Sequence, residues 1–131
     1  MGIERDYLMR QLKMLFDVIQ MILGHRKKGE EGLAHDQIDY FYKCLKIEED
    51  VRSKNIEELM NMLVDRKNLT NEHLEMVAIV LKEQGELSEK AEQKLDFYRK
   101  SYFIFDKVER ESTSFSMERQ MKLTELREYL S

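Results

Sequence analysis

Residues 91–110 read AEQKLDFYRKSYFIFDKVER, and in them Ala91, Leu95, Tyr98, Tyr102 and Phe105 recur at alternating spacings of four and three. With 3.6 residues per turn, that spacing keeps the five side chains on one face of an α-helix. The stretch holds neither proline nor glycine to interrupt it. Ser88 is well placed as its cap and Gly85 as the stop of the helix before it. At 1.5 Å per residue, a helix from there to Arg110 approaches about 33 Å, long enough to serve as the spine of an all-helical domain.

Reading upstream, Leu74, Val77, Ala78 and Leu81 mark a helix that begins after Asn68-Leu69-Thr70-Asn71. Before it, Asn55 with Glu58 three residues later is a capping box, which predicts a short helix to about Val64 through Ile56, Leu59, Met60 and Leu63. Asp50 to Lys54 reads as a loop. Leu33 to Glu48 predicts a further helix, with Ala34, Ile38, Phe41 and Leu45 on one face and Tyr40, Cys44 and Ile47 adjoining it. Gly24-His-Arg-Lys-Lys-Gly-Glu-Glu-Gly32 carries three of the five glycines and no large apolar residue, and reads as a linker. Downstream, Glu111 to Ser114 breaks the chain before a last helix from Ser116 to Leu130, with Met121, Leu123, Leu126 and Leu130 as its expected buried side.

The first helix, Ile3 to Leu23, has Leu8, Leu12, Leu15, Ile19 and Ile22 on one face and a second apolar row in Tyr7, Met14, Val18 and Met21. Only a narrow strip through Arg10, Lys13, Asp17 and Gln20 is polar. A helix apolar on most of its circumference needs cover on two sides. Either other helices of the chain supply both, or a partner supplies one; Met14, Val18 and Met21 are the candidate interface, most simply with a second copy.

Composition agrees with this plan and excludes several classes. The 131 residues carry 22 Lys and Arg against 26 Asp and Glu, a net charge of −4, with 42% hydrophobic residues, enough for a core. Proline and tryptophan are absent. A single Cys44 cannot make an internal disulfide, and no stretch has the charge and apolar pattern of a secretion signal, so a cytoplasmic location is expected. The most apolar window, Met14 to Leu23, is broken by Asp17 and Gln20 and falls well short of the roughly 20 residues a membrane span needs. Met1-Gly2 opens a myristoylation motif that Asp6 breaks.

The expected fold is all-α, about six antiparallel helices forming a single domain over residues 1–131: a leading helix over 1–24, two helical hairpins over 33–110 and a C-terminal helix over 115–131. The hairpins start near residues 34 and 71, a separation of 37 that falls within the range of helical-hairpin repeats.

The second hairpin, Leu74…Val77-Ala78…Leu81…Ala91…Leu95…Tyr98, resembles a degenerate tetratricopeptide repeat, with small Ala78 and Ala91 where two helices approach closely. It lacks the tryptophan, glycine and closing proline of that repeat and has one extra residue in its turn. Glu4-Arg-Asp-Tyr-Leu-Met-Arg-Gln-Leu12 and Phe115-Ser-Met-Glu-Arg-Gln120 are similar to the two ends of a family of small bacterial proteins of unknown function. That resemblance implies an all-helical fold with tetratricopeptide-like hairpins and no particular activity.

No catalytic set assembles. His35 and Asp39 share a helix face but lack a third metal ligand, and Asp36 beside them suits the helix dipole on its own account. His73 stands alone in its helical turn. Cys44 beside Phe41 and Leu45 behaves as a small hydrophobe, and no cofactor-binding motif is present. Arg26-Lys27-Lys28 is followed at once by Glu30 and Glu31 in an acidic chain, which disfavours nucleic acid. Residues 97–105 hold five of the twelve aromatics, and these cannot all point one way on a helix. Phe97, Tyr98, Tyr102 and Phe103 are therefore candidate groove residues. The sequence points to a non-enzymatic scaffold for a protein or peptide partner, with neither nucleic acid nor membrane as its target. The alternative is an enzyme or small-molecule sensor whose pocket lies between helices.

Overall fold

A computed structural model describes residues 2–131, with side chains from Glu4 onward. It contains α1 (Gly2–Lys27), α2 (Glu31–Cys44), a 3-10 turn (Val51–Ser53), α3 (Ile56–Met60) running into a π-helix (Asn61–Arg66), α4 (Asn71–Leu87), α5 (Ala91–Glu111) and α6 (Met117–Leu130). The described residues include no strand. They form two compact units, one ending at Glu49 and one from Asp50 to Ser131.

In the first unit α1 packs on α2. Leu15, Val18, Ile19 and Ile22 of α1 are buried, as are Ala34, Ile38, Phe41 and Tyr42 of α2. The expected glycine linker is largely helical: Gly24 lies inside α1, Gly32 inside α2, and only Gly29 adopts a left-handed backbone, at φ 75°. Its amide donates to Arg26 O and that of Glu30 to His25 O, a Schellman closure that satisfies the last carbonyls of α1. The missing apolar residues there reflect a solvated helix end, with His25, Arg26 and Lys27 favourably placed against the helix dipole. Lys46 closes α2 in the same way at φ 57°, its amide donating to Lys43 O and that of Ile47 to Tyr42 O.

Both helices of the second expected hairpin are present in the second unit. The first expected hairpin, Leu33 to Val64, spans the boundary between the units. The Asp50–Lys54 loop is instead a 3-10 turn with Val51 buried. Asp50 Oδ1 accepts from the Arg52 amide at 2.9 Å, and the Arg52 side chain beside it holds the Asp50 carboxyl below its ordinary range. From α5, Lys100 Nζ donates to Val51 O (3.1 Å) and Arg52 O (3.3 Å) and pairs with Asp96 (2.7 Å), so a lysine with 1% exposure has three acceptors. The Asn55–Glu58 capping box is present, at 2.7 and 3.0 Å.

α4, α5 and α6 alternate in direction. Asn71 at the start of α4 bonds Glu111 at the end of α5, Ala78 O accepts from Ser101 Oγ at 2.6 Å, and Gly85 meets Tyr98, so α4 and α5 are antiparallel. Glu109 meets Arg119 and Tyr102 meets Arg127, which makes α6 antiparallel to α5. Two features differ from expectation here. Gly85 is buried within α4, which continues to Leu87, while Ser88 Oγ donates back to Gln84 O; Gly85 lies against Tyr98 of α5, and Ala91 is exposed. On α6, Leu123 and Leu126 are buried but Met121 is 64% exposed. Arg119, Leu123 and Leu126 share the buried face at spacings of four and three, and Met121, two residues or about 200° of turn from both Arg119 and Leu123, points away from it.

Candidate functional site

Ile56, Met60 and Val64 lie four residues apart along α3 and the π-helix, and Glu57, Asn61 and Asp65 repeat that spacing one position on. The first row lines an open groove and the second forms one of its edges; Phe103, Lys107, Arg110 and Glu111 of α5 line the opposite side. Its volume is about 790 Å³, within the range of sites that take up a few side chains or a small ligand. The π-helix widens one wall by an extra residue per turn, with Lys67 N–H donating five residues back to Met62 O at 2.9 Å.

The groove edges are charged and internally paired. Asn61 Nδ2 donates to Asp65 Oδ2 at 3.1 Å; across from them Lys107 pairs with Glu111 at 2.9 Å and Arg110 with Asp106 at 3.0 Å. The hydrogen bonds from Lys107 and then Asn71 hold the Glu111 carboxyl below its ordinary range. The floor is Ile56, Met60, Val64 and Phe103, the last 39% exposed. No histidine, tyrosine or cysteine lines it.

The aromatic cluster divides by helix phase. Phe97 and Tyr98 are 4% exposed and belong to the core, which corrects their assignment to a groove. Tyr102 is half-buried under the Arg127 guanidinium, whose Nε donates to its hydroxyl at 3.1 Å. Only Phe103 of the four lines the groove. The α1 row divides too: Met14 and Met21 are exposed, whereas Val18 is buried and so is not available as surface.

Elsewhere the polar side chains form ties between helices. Arg119 Nε donates to Glu109 at 2.7 Å, Nη1 to Glu75 at 3.0 Å and Nη2 to Ser114 O at 3.1 Å, joining α4, α5 and α6 at one end. At the other end Lys82 pairs with Glu86 (3.5 Å) and Glu125 (3.2 Å). The Tyr98 hydroxyl donates to Glu86 at 3.0 Å and that of Tyr129 to Glu125 at 2.7 Å. Burial, reinforced by Glu86, pushes Tyr98 ionisation far above the ordinary tyrosine range, and the Tyr129 hydrogen bond lowers Glu125. Among the described residues no buried side-chain nitrogen or oxygen lacks a partner. Such closed networks hold the helices to one another.

His35, Asp36 and Asp39 are exposed, and no group of three His, Cys, Asp or Glu among the described residues could hold a metal ion. His73 is buried as a capping partner of Thr70. Cys44 is half-buried beside Tyr40, whose hydroxyl it makes harder to ionise. No helix among the described residues is long and apolar enough to cross a membrane. Comparison with protein-family models, with curated proteins and with solved structures finds no match.

The groove was legible only in part. Phe103 stands out in the aromatic run, but Ile56, Met60 and Val64 read as ordinary core. The matched four-residue rows at 56/60/64 and 57/61/65 are the one signal that could have shown an apolar floor with a polar edge.

Proposed function

We propose that this protein is a non-enzymatic helical scaffold whose groove between the α3–π-helix segment and α5 binds an amphipathic helical segment of a partner protein. The observation that carries this reading is the apolar floor of Ile56, Met60, Val64 and Phe103 left open between two charged edges. A groove of that form accepts apolar side chains at positions i, i+4 and i+7 of a docked helix. Glu57 and Asp65 on one edge favour lysine or arginine on the side of the ligand that faces them. On this reading the α4–α5 hairpin is tetratricopeptide-like, supported by its antiparallel packing with Gly85 against Tyr98, and the chain is a cytoplasmic member of the small bacterial family that its two ends resemble.

Selection of helical peptides from a random display library on the full-length protein tests it. Recovered peptides should share the apolar spacing and a basic edge, bind with micromolar or tighter affinity, and lose at least tenfold in affinity for Phe103→Asp. Failure to recover binders, or binders indifferent to Phe103→Asp, would refute the groove as the site.

A further inference from the structure

We infer that α1 is a self-association surface, on which a second copy of this chain packs antiparallel along the row Tyr7, Met14 and Met21. The three residues lie seven apart, so they form a nearly straight stripe along a helix. They are 67%, 39% and 48% exposed, while Leu15, Ile19 and Ile22 on the inner face of the same helix are buried. Two of the three are methionines, which adapt readily to a neighbouring surface.

The neighbouring row identifies the occupant. Arg10 and Asp17 each follow a stripe residue by three positions, so they border the stripe on one side, and both are exposed. A parallel two-fold pair of α1 helices would put the Arg10 and Asp17 flanks on opposite sides of the seam, where these charges do not meet. An antiparallel pair centred on Met14 sets Tyr7 level with Met21 of the partner. It also brings Arg10 to within one residue rise, about 1.5 Å along the axis, of the level of Asp17 of the partner. Two-fold symmetry makes that pair twice. The charges beside the stripe therefore complement a reversed copy of the same helix and find no such pairing with one in the same direction. This surface lies on the first unit and the groove on the second, so either proposal stands if the other fails.

Sedimentation equilibrium of the full chain over a concentration series is the test, with circular dichroism to establish that each variant keeps its helicity. The wild type should approach twice 15.8 kDa as concentration rises. Arg10→Asp and Asp17→Arg should each raise the dissociation constant by about tenfold or more, since two attractive pairs become repulsive. The combined Arg10→Asp/Asp17→Arg variant should return it to within about threefold of wild type. Met14→Glu should give a folded monomer; the charge variants, at exposed positions, decide the matter if that one does not fold. A wild type monomeric at every concentration, single variants that leave the dimer unchanged, or a double reversal without recovery would each overturn the proposal.

Discussion

Gly85 lies against the ring of Tyr98 so closely that a Cβ on the glycine would stand 2.6 Å from Cε1 and 2.8 Å from Cδ1. The ring has little freedom to retreat, because its hydroxyl is bonded to Glu86 and it stacks on Tyr129 with centroids 4.8 Å apart. Gly85→Ala would gain about 1 kcal/mol of intrinsic helix preference, against about 1–3 kcal/mol for forcing a methyl into a packed contact. A net loss of about 1 kcal/mol is expected, visible as a fall of several degrees in Tm by circular dichroism. A higher Tm would show that the ring yields freely.

Arg119 bonds Glu75 of α4, Glu109 of α5 and the Ser114 carbonyl together, and it is 4% exposed. Arg119→Met should cost about 2–4 kcal/mol by leaving two carboxylates facing an apolar group. Arg119→Lys should recover only a minor part, because one ammonium cannot span acceptors that a planar fork reaches in three directions. Urea unfolding midpoints measure both; a loss below about 0.5 kcal/mol for Arg119→Met would mean that the tie is dispensable.

His73 Nδ1 lies 2.7 Å from Thr70 Oγ1 and accepts from the Thr70 amide at 3.3 Å, and burial lowers its affinity for a proton below the ordinary value of 6.5. In the unfolded chain the same group takes up a proton near 6.5, so between the depressed folded value and 6.5 the unfolded state binds more protons. This contribution to stability is complete above about pH 6.5 and is lost progressively as pH falls below it. His73→Gln keeps a capping partner at that position and should flatten the slope of stability between pH 6.5 and 5. Urea titrations at several pH values follow it, and an unchanged slope would assign the pH response to other groups.

Gly29 and Lys46 occupy equivalent left-handed positions after α1 and α2, and only one is a glycine. Lys46→Gly should stabilise the protein by about 1 kcal/mol, and Gly29→Ala should destabilise it by a similar amount. Thermal melts of the two variants should move in opposite directions; a shift of both the same way would contradict the shared geometry.

What could be read from residue order follows from how local each cause is. The α5 helix and the Asn55–Glu58 cap are set by residues within a few positions of one another, and both are present where spacing placed them. Gly85 misled because its role depends on a ring thirteen residues further along the chain, and a glycine near a helix end reads locally as a stop. The 3-10 turn at Val51–Ser53 is held by Lys100, which no local pattern announces. Only Phe103 of the four candidate groove aromatics lines the groove because Phe97, Tyr98, Ser101, Ile104 and Phe105 take the inner face of α5, and composition alone does not reveal that phase. Nor does any local pattern mark Asn61–Arg66 as a π-helix, whose wider turn shapes one wall of the groove.

The amine of Lys100, enclosed by Val51 O, Arg52 O and Asp96, has a consequence for how the protein can be watched at work. An acylating reagent reaches surface lysines at once but meets this nitrogen only when the Val51–Ser53 turn lets go. The rate at which mass spectrometry finds Lys100 modified therefore times the opening of that turn, and slowing of that rate by a bound peptide would report docking from a residue that does not line the groove.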